Sequence, residues 1–419
     1  MLSQSTKLYK NLQRQYSRRI NLDLHRIKKV LTKLNRPELE LKNPINILGS
    51  DGKMSILTSL KFFLMADKKT VNTFTSPHLY DVRHRIWLKN RFITIKEIEK
   101  YRKVIENTRL KLTLFELLTC IFILAANNKK KTDYNLIEAG LLFKKDSTNL
   151  WERPKIQIVS NINYQHQDWV KPKTLKEICK QKLSSLSNST TIYIAKQNPK
   201  TLKIIKNVLN KNKSKIIFSN QWKIKKKNKN YIYEDKYYTI RFRPKNIYSY
   251  GLIQNLGLAI KIALDLGVSK QKIIETIPKI QFEGRVQYVN KGNLKKLLYK
   301  NEKILIDGCH STESAKNLYS YLKTLKTPVY GIWGMTKNKM PENFIKEFKR
   351  IFKKIIIVKI PGEKNSCEIP ELKSIARKYF NVSSEKNIIL ALKKLSSNQK
   401  KTIVIFGSLY LAGAFLKKN

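Results

Sequence analysis

A glycine-rich segment near the N-terminus has residue types that could bind the phosphates of a nucleotide. It runs from Gly49 to Ser55 in the order Gly-Ser-Asp-Gly-Lys-Met-Ser. A glycine-rich turn at the start of a helix directs backbone N–H groups at an anion, and the helix dipole adds to that attraction. Lys53 can reach the outer phosphates, and the Ser55 hydroxyl can ligate Mg²⁺. The spacing G-x-x-G-K-x-S is shorter than the usual phosphate loop, so a glycine-rich turn with an exposed lysine is the alternative interpretation.

The elements that flank this segment favour nucleotide binding. The apolar stretch Pro44–Leu48 predicts a buried strand before it, and a helix is predicted after it as far as Met65. Farther along the chain, strands alternate with helices, and strands are predicted at 71–74, 133–138, 156–162, 304–306, 329–333, 355–360 and 402–406. Such alternation predicts two α/β domains with parallel sheets. We place the boundary after residue 283, which predicts domains 1–283 and 284–419.

The charge of the chain does not by itself indicate a nucleic-acid-binding protein. Lys and Arg number 85 against 30 Asp and Glu in 419 residues, for a formal charge of +55. Lys far outnumbers Arg, and Arg is the residue that reads base edges and grips phosphates through its forked guanidinium. The basic runs Lys129-Lys130-Lys131 and Lys225-Lys226-Lys227 are interpreted as solvated loops. We therefore expect no nucleic-acid partner.

Cysteine usage and hydropathy exclude further classes. Four cysteines are scattered without a CxxC pair, which argues against a disulfide framework or a zinc knuckle. The longest apolar run, Leu117–Ala126, is half of the roughly 20 residues that a membrane span needs. The first residues contain no apolar stretch typical of a secretory signal. We expect a soluble, cytoplasmic, multidomain protein without a membrane partner.

Short motifs follow one another in a fixed order from about residue 23 to the C-terminus. They are TSPHL at 75–79, T-x-F-E at 113–116, E-x-G-L at 138–141, Gln165-His166, Lys182, Asn255, Glu283-Gly284-Arg285, Asp307-Gly308-Cys309-His310 and G-S-L-Y at 407–410. Together with the phosphate loop they resemble the folylpolyglutamate synthase/dihydrofolate synthase family of Mur-type ligases. That family's loop reads GTNGKGS, and Gly49, Gly52, Lys53 and Ser55 keep its fixed positions.

The resemblance implies a fold and a reaction. The fold would be α/β, with a Mur-ligase-type central domain that contains the phosphate loop and a parallel sheet, followed by a smaller Rossmann-like C-terminal domain. The reaction would use ATP and Mg²⁺ to phosphorylate the carboxylate of folate or dihydropteroate. The amine of L-glutamate would then attack the acyl phosphate and expel phosphate. Two anions must be held close together in such a reaction, which requires cations and N–H donors. The enzyme would be a monomer.

The resemblance also implies a role for individual residues. Catalysis would involve Lys53, His166, Lys182 and Arg285. The nucleotide would be bound by Gly49, Gly52, Lys53, Ser55, Asn255, Arg285 and Asp307. The metal would be held by Ser55, Ser76, Glu138 and His166. The other substrates would contact Phe115, His310 and Ser408. Lys182 corresponds to a lysine that family members carbamylate, and the C-terminal domain would close over the nucleotide with Arg285 at the hinge.

Several positions depart from the family pattern. They are Asp51 for Asn, Met54 for Gly, Leu142-Phe143-Lys144 for Gly-Gly-Arg, Gln165 for Asp, and Ser311-Thr312 for Asn-Pro. The reacting side chains are kept while the residues around them differ. Two other functions stay open at this point: a Mur-type amide ligase with a different carboxylate acceptor, and a basic nucleic-acid-binding protein with a vestigial ligase fold.

Overall fold

The computed structural model of the protein describes residues 4–17, 21–127 and 131–419. The chain divides into two compact units. The first unit comprises Met1–Arg243 and Gln254–Pro278, and the second comprises Pro244–Ile253 and Lys279–Asn419. The predicted functional domains, 1–283 and 284–419, remain a prediction.

Helices and strands alternate up to residue 278, as predicted. The helices are α1 (Gln4–Gln15), α2 (His25–Lys33), α3 (Lys53–Ala66), α4 (Ile95–Glu106), α5 (Leu114–Ala126), α6 (Leu175–Leu183), α7 (Pro199–Val208), α8 (Tyr250–Asp265) and α9 (Lys270–Thr276). The strands are β1 (Pro44–Leu48), β2 (Val71–Phe74), β3 (Ile86–Leu88), β4 (Arg91–Phe92), β5 (Tyr134–Glu138), β6 (Ile156–Val159), β7 (Thr191–Ile194), β8 (Lys215–Phe218), β9 (Trp222–Lys227), β10 (Asn230–Asp235) and β11 (Thr239–Phe242).

The main sheet of the first unit brings four strand ends to one edge. Within the described residues its strand order is β4-β3-β2-β5-β1-β6-β7-β8. β2, β5, β1, β6, β7 and β8 are parallel, whereas β3 and β4 are antiparallel. The carboxyl ends of β2, β5, β1 and β6 therefore lie side by side. Because the chain passes from β5 over β1 to β6, this edge is the kind of crossover point where α/β sheets bind ligands.

Burial and capping explain the elements that support this edge. Every residue of β1 is buried, as expected for a central parallel strand. α5 is buried along nearly its whole length. Its start is fixed by a capping box in which Thr113 accepts a hydrogen bond from the Glu116 backbone and the Glu116 side chain accepts one from Thr113. Thr94 and Glu97 form the same motif at the start of α4.

The prediction of a loop at Lys225-Lys226-Lys227 is wrong. These residues end β9, which pairs antiparallel with β10 in a three-stranded sheet that also contains β11. Trp222 is buried and Ile224 lies against Gly257 of α8, so alternate residues of β9 pack on the helix. The lysines between them are exposed. Of the other basic run, Lys129 and Lys130 lie outside the described residues.

The second unit is built around its own sheet. Its helices are α10 (Thr312–Leu322), α11 (Pro341–Ile345), α12 (Ile369–Arg377), α13 (Ile388–Leu395) and α14 (Leu409–Lys418). Its strands are β12 (Gln287–Val289), β13 (Glu302–Asp307), β14 (Val329–Trp333), β15 (Phe352–Ile357), β16 (Val382–Ser384) and β17 (Lys401–Phe406). The order is β12-β13-β17-β14-β15-β16, with only β12 antiparallel among these strands. The predicted α/β class with parallel sheets is confirmed in both units. No helix in the described ranges is long and apolar enough to cross a membrane.

Candidate active site

The phosphate loop joins the carboxyl end of β1 to the amino end of α3. Gly49 and Gly52 have φ angles of +132° and +94°, which favour glycine. A Cβ atom on Gly49 would lie 2.1 Å from Ser160 Oγ, and one on Gly52 would lie 2.6 Å from Asn255 Nδ2. Both positions therefore need glycine for their backbone conformation and for the side chain packed against them. Ser160 was not predicted as a site residue, and only its place at the end of β6 could have indicated it.

A lysine and a buried carboxylate lie next to each other at this edge. Lys53 Nζ donates hydrogen bonds to the carbonyl oxygens of Gly49 at 3.3 Å and Ser50 at 3.2 Å. It is also 4.0 Å from Oε1 of Glu138, which ends β5 and is buried. Oε2 of Glu138 accepts a hydrogen bond of 3.1 Å from the backbone N–H of Ser76, just after β2. The ends of three neighbouring strands thus contribute to one charged cluster.

A second lysine reaches the same loop from α6. Lys182 Nζ donates a 2.9 Å hydrogen bond to the Gly49 carbonyl oxygen, and the side chain is buried. Burial, and then the charge of Lys53, lower the pKa of Lys182 from 10.5 to about 7, against the opposing effect of Asp146. A large fraction of Lys182 is therefore the neutral, nucleophilic amine at neutral pH. Only the resemblance separated this lysine from the many surface lysines; its burial is a finding of the structure.

The Ser55 hydroxyl is held between the loop and α8. It donates to the Gly52 carbonyl oxygen and accepts from Asn255 Nδ2, both at 2.9 Å. Met54, where the family pattern has glycine, is the second residue of α3 and adopts ordinary helical backbone there. Its substitution therefore leaves the loop conformation intact.

The oxygen atoms at this edge suit Mg²⁺. The hydroxyls of Ser55 and Ser76 and the buried Glu138 carboxylate are hard ligands, and Mg²⁺ normally keeps several waters besides a few such groups. In the ranges that the structure describes, no group of three or more His, Cys, Asp or Glu side chains that could hold a metal ion is present. The fit to Mg²⁺ therefore rests on one buried carboxylate and the two serine hydroxyls, with water as the remaining ligands.

His166 lies in a segment that is bonded to the phosphate loop. The residue has a left-handed φ of +65° and precedes a 3₁₀ turn at Gln167–Trp169. The preceding Gln165 donates from Nε2 to Oδ1 of Asp51 at 2.8 Å. Among the predicted metal ligands, Glu138 and Ser76 are in direct contact, whereas His166 is linked to the loop through Gln165.

Phe115 packs next to the segment that follows Glu138. Its ring centroid is 5.7 Å from that of Phe74, and a Cβ on Gly140 would lie 2.6 Å from its ring. Asp146, which was not predicted as a site residue, is buried in the same segment and accepts hydrogen bonds from the backbone of Leu141 at 2.7 Å and Thr148 at 3.0 Å. Burial raises the pKa of Asp146. Its role in the structure is to fold this segment around one carboxylate.

The second unit contains the remaining predicted residues. Asp307 ends β13, is buried, and accepts hydrogen bonds from the backbone of Val286 at 2.8 Å and Cys309 at 2.7 Å. Burial raises the pKa of Asp307, and the charge of Arg285 opposes this shift. A Cβ on Gly308 would lie 2.7 Å from Arg285 Nη1, so the guanidinium lies over that glycine. The structure thus brings Arg285 and Asp307 together.

The predicted glutamate contacts follow two strands of the same sheet. His310 comes after β13, with Nδ1 2.9 Å from the Gly308 carbonyl oxygen. Ser408 comes after β17, is buried, and caps α14 by accepting a 3.1 Å hydrogen bond from the backbone of Tyr410. Because β13 and β17 are parallel neighbours, both residues lie at the carboxyl edge of the second sheet.

Comparison with known proteins shows what the chain is similar to. Residues 290–418 match the family described as dihydrofolate synthetase, C-terminal domain. The dihydrofolate synthetase of Saccharomyces cerevisiae is 24% identical over 95% of this chain and 98% of its own length. The dihydrofolate synthase/folylpolyglutamate synthase of Bacillus subtilis is 22% identical over 94% of each chain. Over almost its whole length, the chain is thus similar to dihydrofolate synthases and folylpolyglutamate synthases.

A solved structure of the family shares the fold. The bifunctional folylpolyglutamate synthase/dihydrofolate synthase of Yersinia pestis, complexed with AMPPNP and a Mn ion, aligns with a TM-score of 0.85 over 99% of this chain and 98% of that one, at 18% identity. The predicted α/β fold is thereby confirmed over nearly the whole chain. The individual site residues remain assigned by motif and by the contacts described above.

Proposed function

We propose that this protein is an ATP-dependent ligase that adds L-glutamate to a folate carboxylate through an acyl phosphate. The observation that supports it most is the convergence of Lys53 and Lys182 on the Gly49 carbonyl oxygen, beside the buried carboxylate of Glu138. A glycine-rich turn at a helix start directs backbone N–H groups at an anion, and the Lys53 ammonium beside it adds positive charge. Residues 1–283 would form the ATP-binding domain and 284–419 the glutamate-ligase domain.

The residues at this edge would act by binding and orienting. The backbone N–H groups of the loop and the Lys53 ammonium would hold the phosphates, with Asn255 and Asp307 on the nucleoside and Arg285 on the phosphates. Bound Mg²⁺, held by Ser55, Ser76, Glu138 and His166, would supply positive charge to the transferred phosphoryl group. Neutral Lys182 would react with CO₂: its amine forms a bond to carbon and releases one proton, which leaves an anionic carbamate.

The remaining residues would position the other two substrates. Phe115 would contact the acceptor, and His310 and Ser408 would contact the incoming glutamate. The matches to dihydrofolate synthetases support dihydropteroate as the acceptor to test first. The four cysteines are buried as free thiols, which suits the reducing cytoplasm in which we propose that the enzyme works as a monomer.

An acceptor panel tests this function. Purified protein is incubated with ATP, Mg²⁺ and glutamate, alone or with dihydropteroate or a reduced folate. We expect phosphate release only when an acceptor is present, and its absence with both acceptors would reject the proposal. Size-exclusion chromatography tests the monomer.

Lys53→Ala tests the phosphate-loop assignment. We expect turnover to fall by about a hundredfold or more, since a charge that stabilises the transferred phosphoryl group is lost. The matched control is Lys359→Ala, at an exposed lysine paired with Glu368, which should leave turnover unchanged. Full turnover in Lys53→Ala would show that the loop does not bind the phosphates.

A further inference from the structure

The carboxylate of Asp51 is fixed on both of its oxygen atoms by side-chain amides. Oδ1 accepts from Gln165 Nε2 and Oδ2 accepts from Asn163 Nδ2, each at 2.8 Å. A carboxylate in a phosphate loop would repel phosphates if it faced them. Here both oxygens are instead directed at the segment after β6, where they receive charge-assisted hydrogen bonds.

The backbone reinforces this connection. The N–H groups of Ser50 and Asp51 donate to the Asn161 carbonyl oxygen at 2.7 Å and 3.2 Å. The N–H of Asn163 donates to Ser50 Oγ at 3.1 Å. Ser50 Oγ also donates to the Asn163 carbonyl oxygen at 3.4 Å. Two residues of the phosphate loop are therefore joined to the segment 161–165 by six hydrogen bonds, counting the two that Asp51 accepts.

This connection ends one residue before His166. The left-handed backbone of His166 turns the chain into the following 3₁₀ turn, so the position of Gln165 sets where the His166 ring is presented. We propose that Asp51 is a positioning residue that, through Gln165, fixes His166 relative to the phosphate loop and so sets the affinity for the divalent metal. This inference rests on the proposed function, in which His166 is a metal ligand.

The two partners carry complementary groups, because Asp51 offers only acceptors and the Gln165 amide offers donors. An amide facing a carboxylate is satisfied in either arrangement. Two carboxylates facing each other repel, whereas two amides can still bond if one of them flips.

Because the pair consists of one carboxylate and one amide, the two single substitutions should have unequal effects. Gln165→Glu sets a carboxylate against Asp51 and should raise the Mg²⁺ concentration for half-maximal rate by about tenfold or more. Asp51→Asn should change it by less than about threefold, because the Gln165 amide can flip. In the double variant Asp51→Asn/Gln165→Glu, the introduced amide can donate to the introduced carboxylate and accept from Asn163, so we expect a value within about threefold of the original.

The first measurement is acceptor-dependent phosphate release as a function of Mg²⁺ concentration, with kcat determined separately. The second is hydrogen–deuterium exchange of peptides covering 161–170, without metal or nucleotide. Gln165→Glu should accelerate exchange in this segment, and the double variant should restore protection. Glu234→Gln, which removes an exposed carboxylate paired with Lys223 and Lys225, is the control and should change neither readout.

The outcomes separate the inference from the proposed function. Equal Mg²⁺ dependence in Gln165→Glu and the original protein, or a double variant as impaired as Gln165→Glu, would overturn the positioning role. If the original protein releases no phosphate with any acceptor, the proposed function fails. The exchange experiment then still decides the pairing, since unchanged protection in Gln165→Glu would contradict it.

Discussion

The buried Lys182 should make the stability of the first unit depend on pH in a predictable direction. Burial lowers the pKa of this lysine from 10.5 to about 7 in the folded protein, while the unfolded chain keeps the ordinary value. Between these two pKa values the unfolded state binds more protons. Stability should therefore rise with pH through this window, by at most about 1.4 kcal/mol per pH unit.

The magnitude follows from the two protonation equilibria. With a folded pKa of about 7, unfolding should become more costly by about 2 kcal/mol between pH 7 and pH 9 from this group alone. The remaining rise occurs above pH 9, and stability should level off as the pH approaches 10.5. Below about pH 6 the group is charged in both states and its contribution no longer changes.

Lys182→Met isolates the effect because methionine has an unbranched side chain of similar length but no titrating group. Urea unfolding of the original and variant proteins is measured at pH 6, 7, 8 and 9 in bicarbonate-free buffer. The free energy of unfolding of the original protein minus that of the variant should increase by about 2 kcal/mol from pH 7 to pH 9. Other titrating groups cancel in this difference, and Lys359→Met at an exposed lysine serves as the control.

A difference that stays constant from pH 6 to pH 9 would refute this reasoning, because it would mean that Lys182 is as basic in the folded protein as in water. Added bicarbonate supplies a second check. If the neutral amine forms a carbamate, bicarbonate should change the stability of the original protein and leave Lys182→Met unaffected.

Further predictions concern three other places in the structure. Gly49→Ala should weaken nucleotide binding in calorimetry and destabilise the protein by about 1–3 kcal/mol, because of its positive φ and the contact with Ser160; unchanged affinity would contradict the loop geometry. Phe143→Ala should lower the free energy of unfolding in urea by about 3–5 kcal/mol, because a buried aromatic side chain is lost. Phe143→Gly should lower it by less, because the φ of +122° favours glycine, and the reverse order would contradict this. Lys401→Met should lower the free energy of unfolding by about 3–5 kcal/mol, because it leaves the buried Glu302 without its cation. Adding Glu302→Gln should recover much of that loss, and no recovery would refute the buried ion pair.

Apolar patterns in the sequence predicted the elements that position the site. β1 at 44–48 and β2 at 71–74 have the predicted bounds, and every residue of both strands is buried. β9 was missed because four of its six residues are lysine. It forms a strand because the backbone pairs with β10, which follows directly, and because Trp222 and Ile224 pack on α8, which comes later in the chain. Packing against a later helix is not visible in the composition of the strand.

The order of motifs predicted which residues would gather, but not how they are bonded. Lys53, Ser55, Ser76, Glu138 and Lys182 were named from their positions in the sequence. That Lys182 is buried, and that its ammonium shares the Gly49 carbonyl oxygen with Lys53, depends on how α6 packs against the loop. The hydrogen bonds of Asp51 likewise require two segments separated by about a hundred residues, so they could be found only in the structure.

The segment after Glu138 contains two side chains in backbone conformations that favour glycine. Leu142 and Phe143 have φ angles of +62° and +122°. Such a conformation costs a residue with a side chain about 1–3 kcal/mol. Both side chains are buried in one apolar cluster, and full burial of a large apolar side chain returns about 1.5–3 kcal/mol, so the strain is offset locally. At Asp51 and Gln165 the compensation is direct, because a carboxylate and an amide satisfy each other. In both places the contacts around a residue, and not its type alone, determine whether the local backbone can be kept.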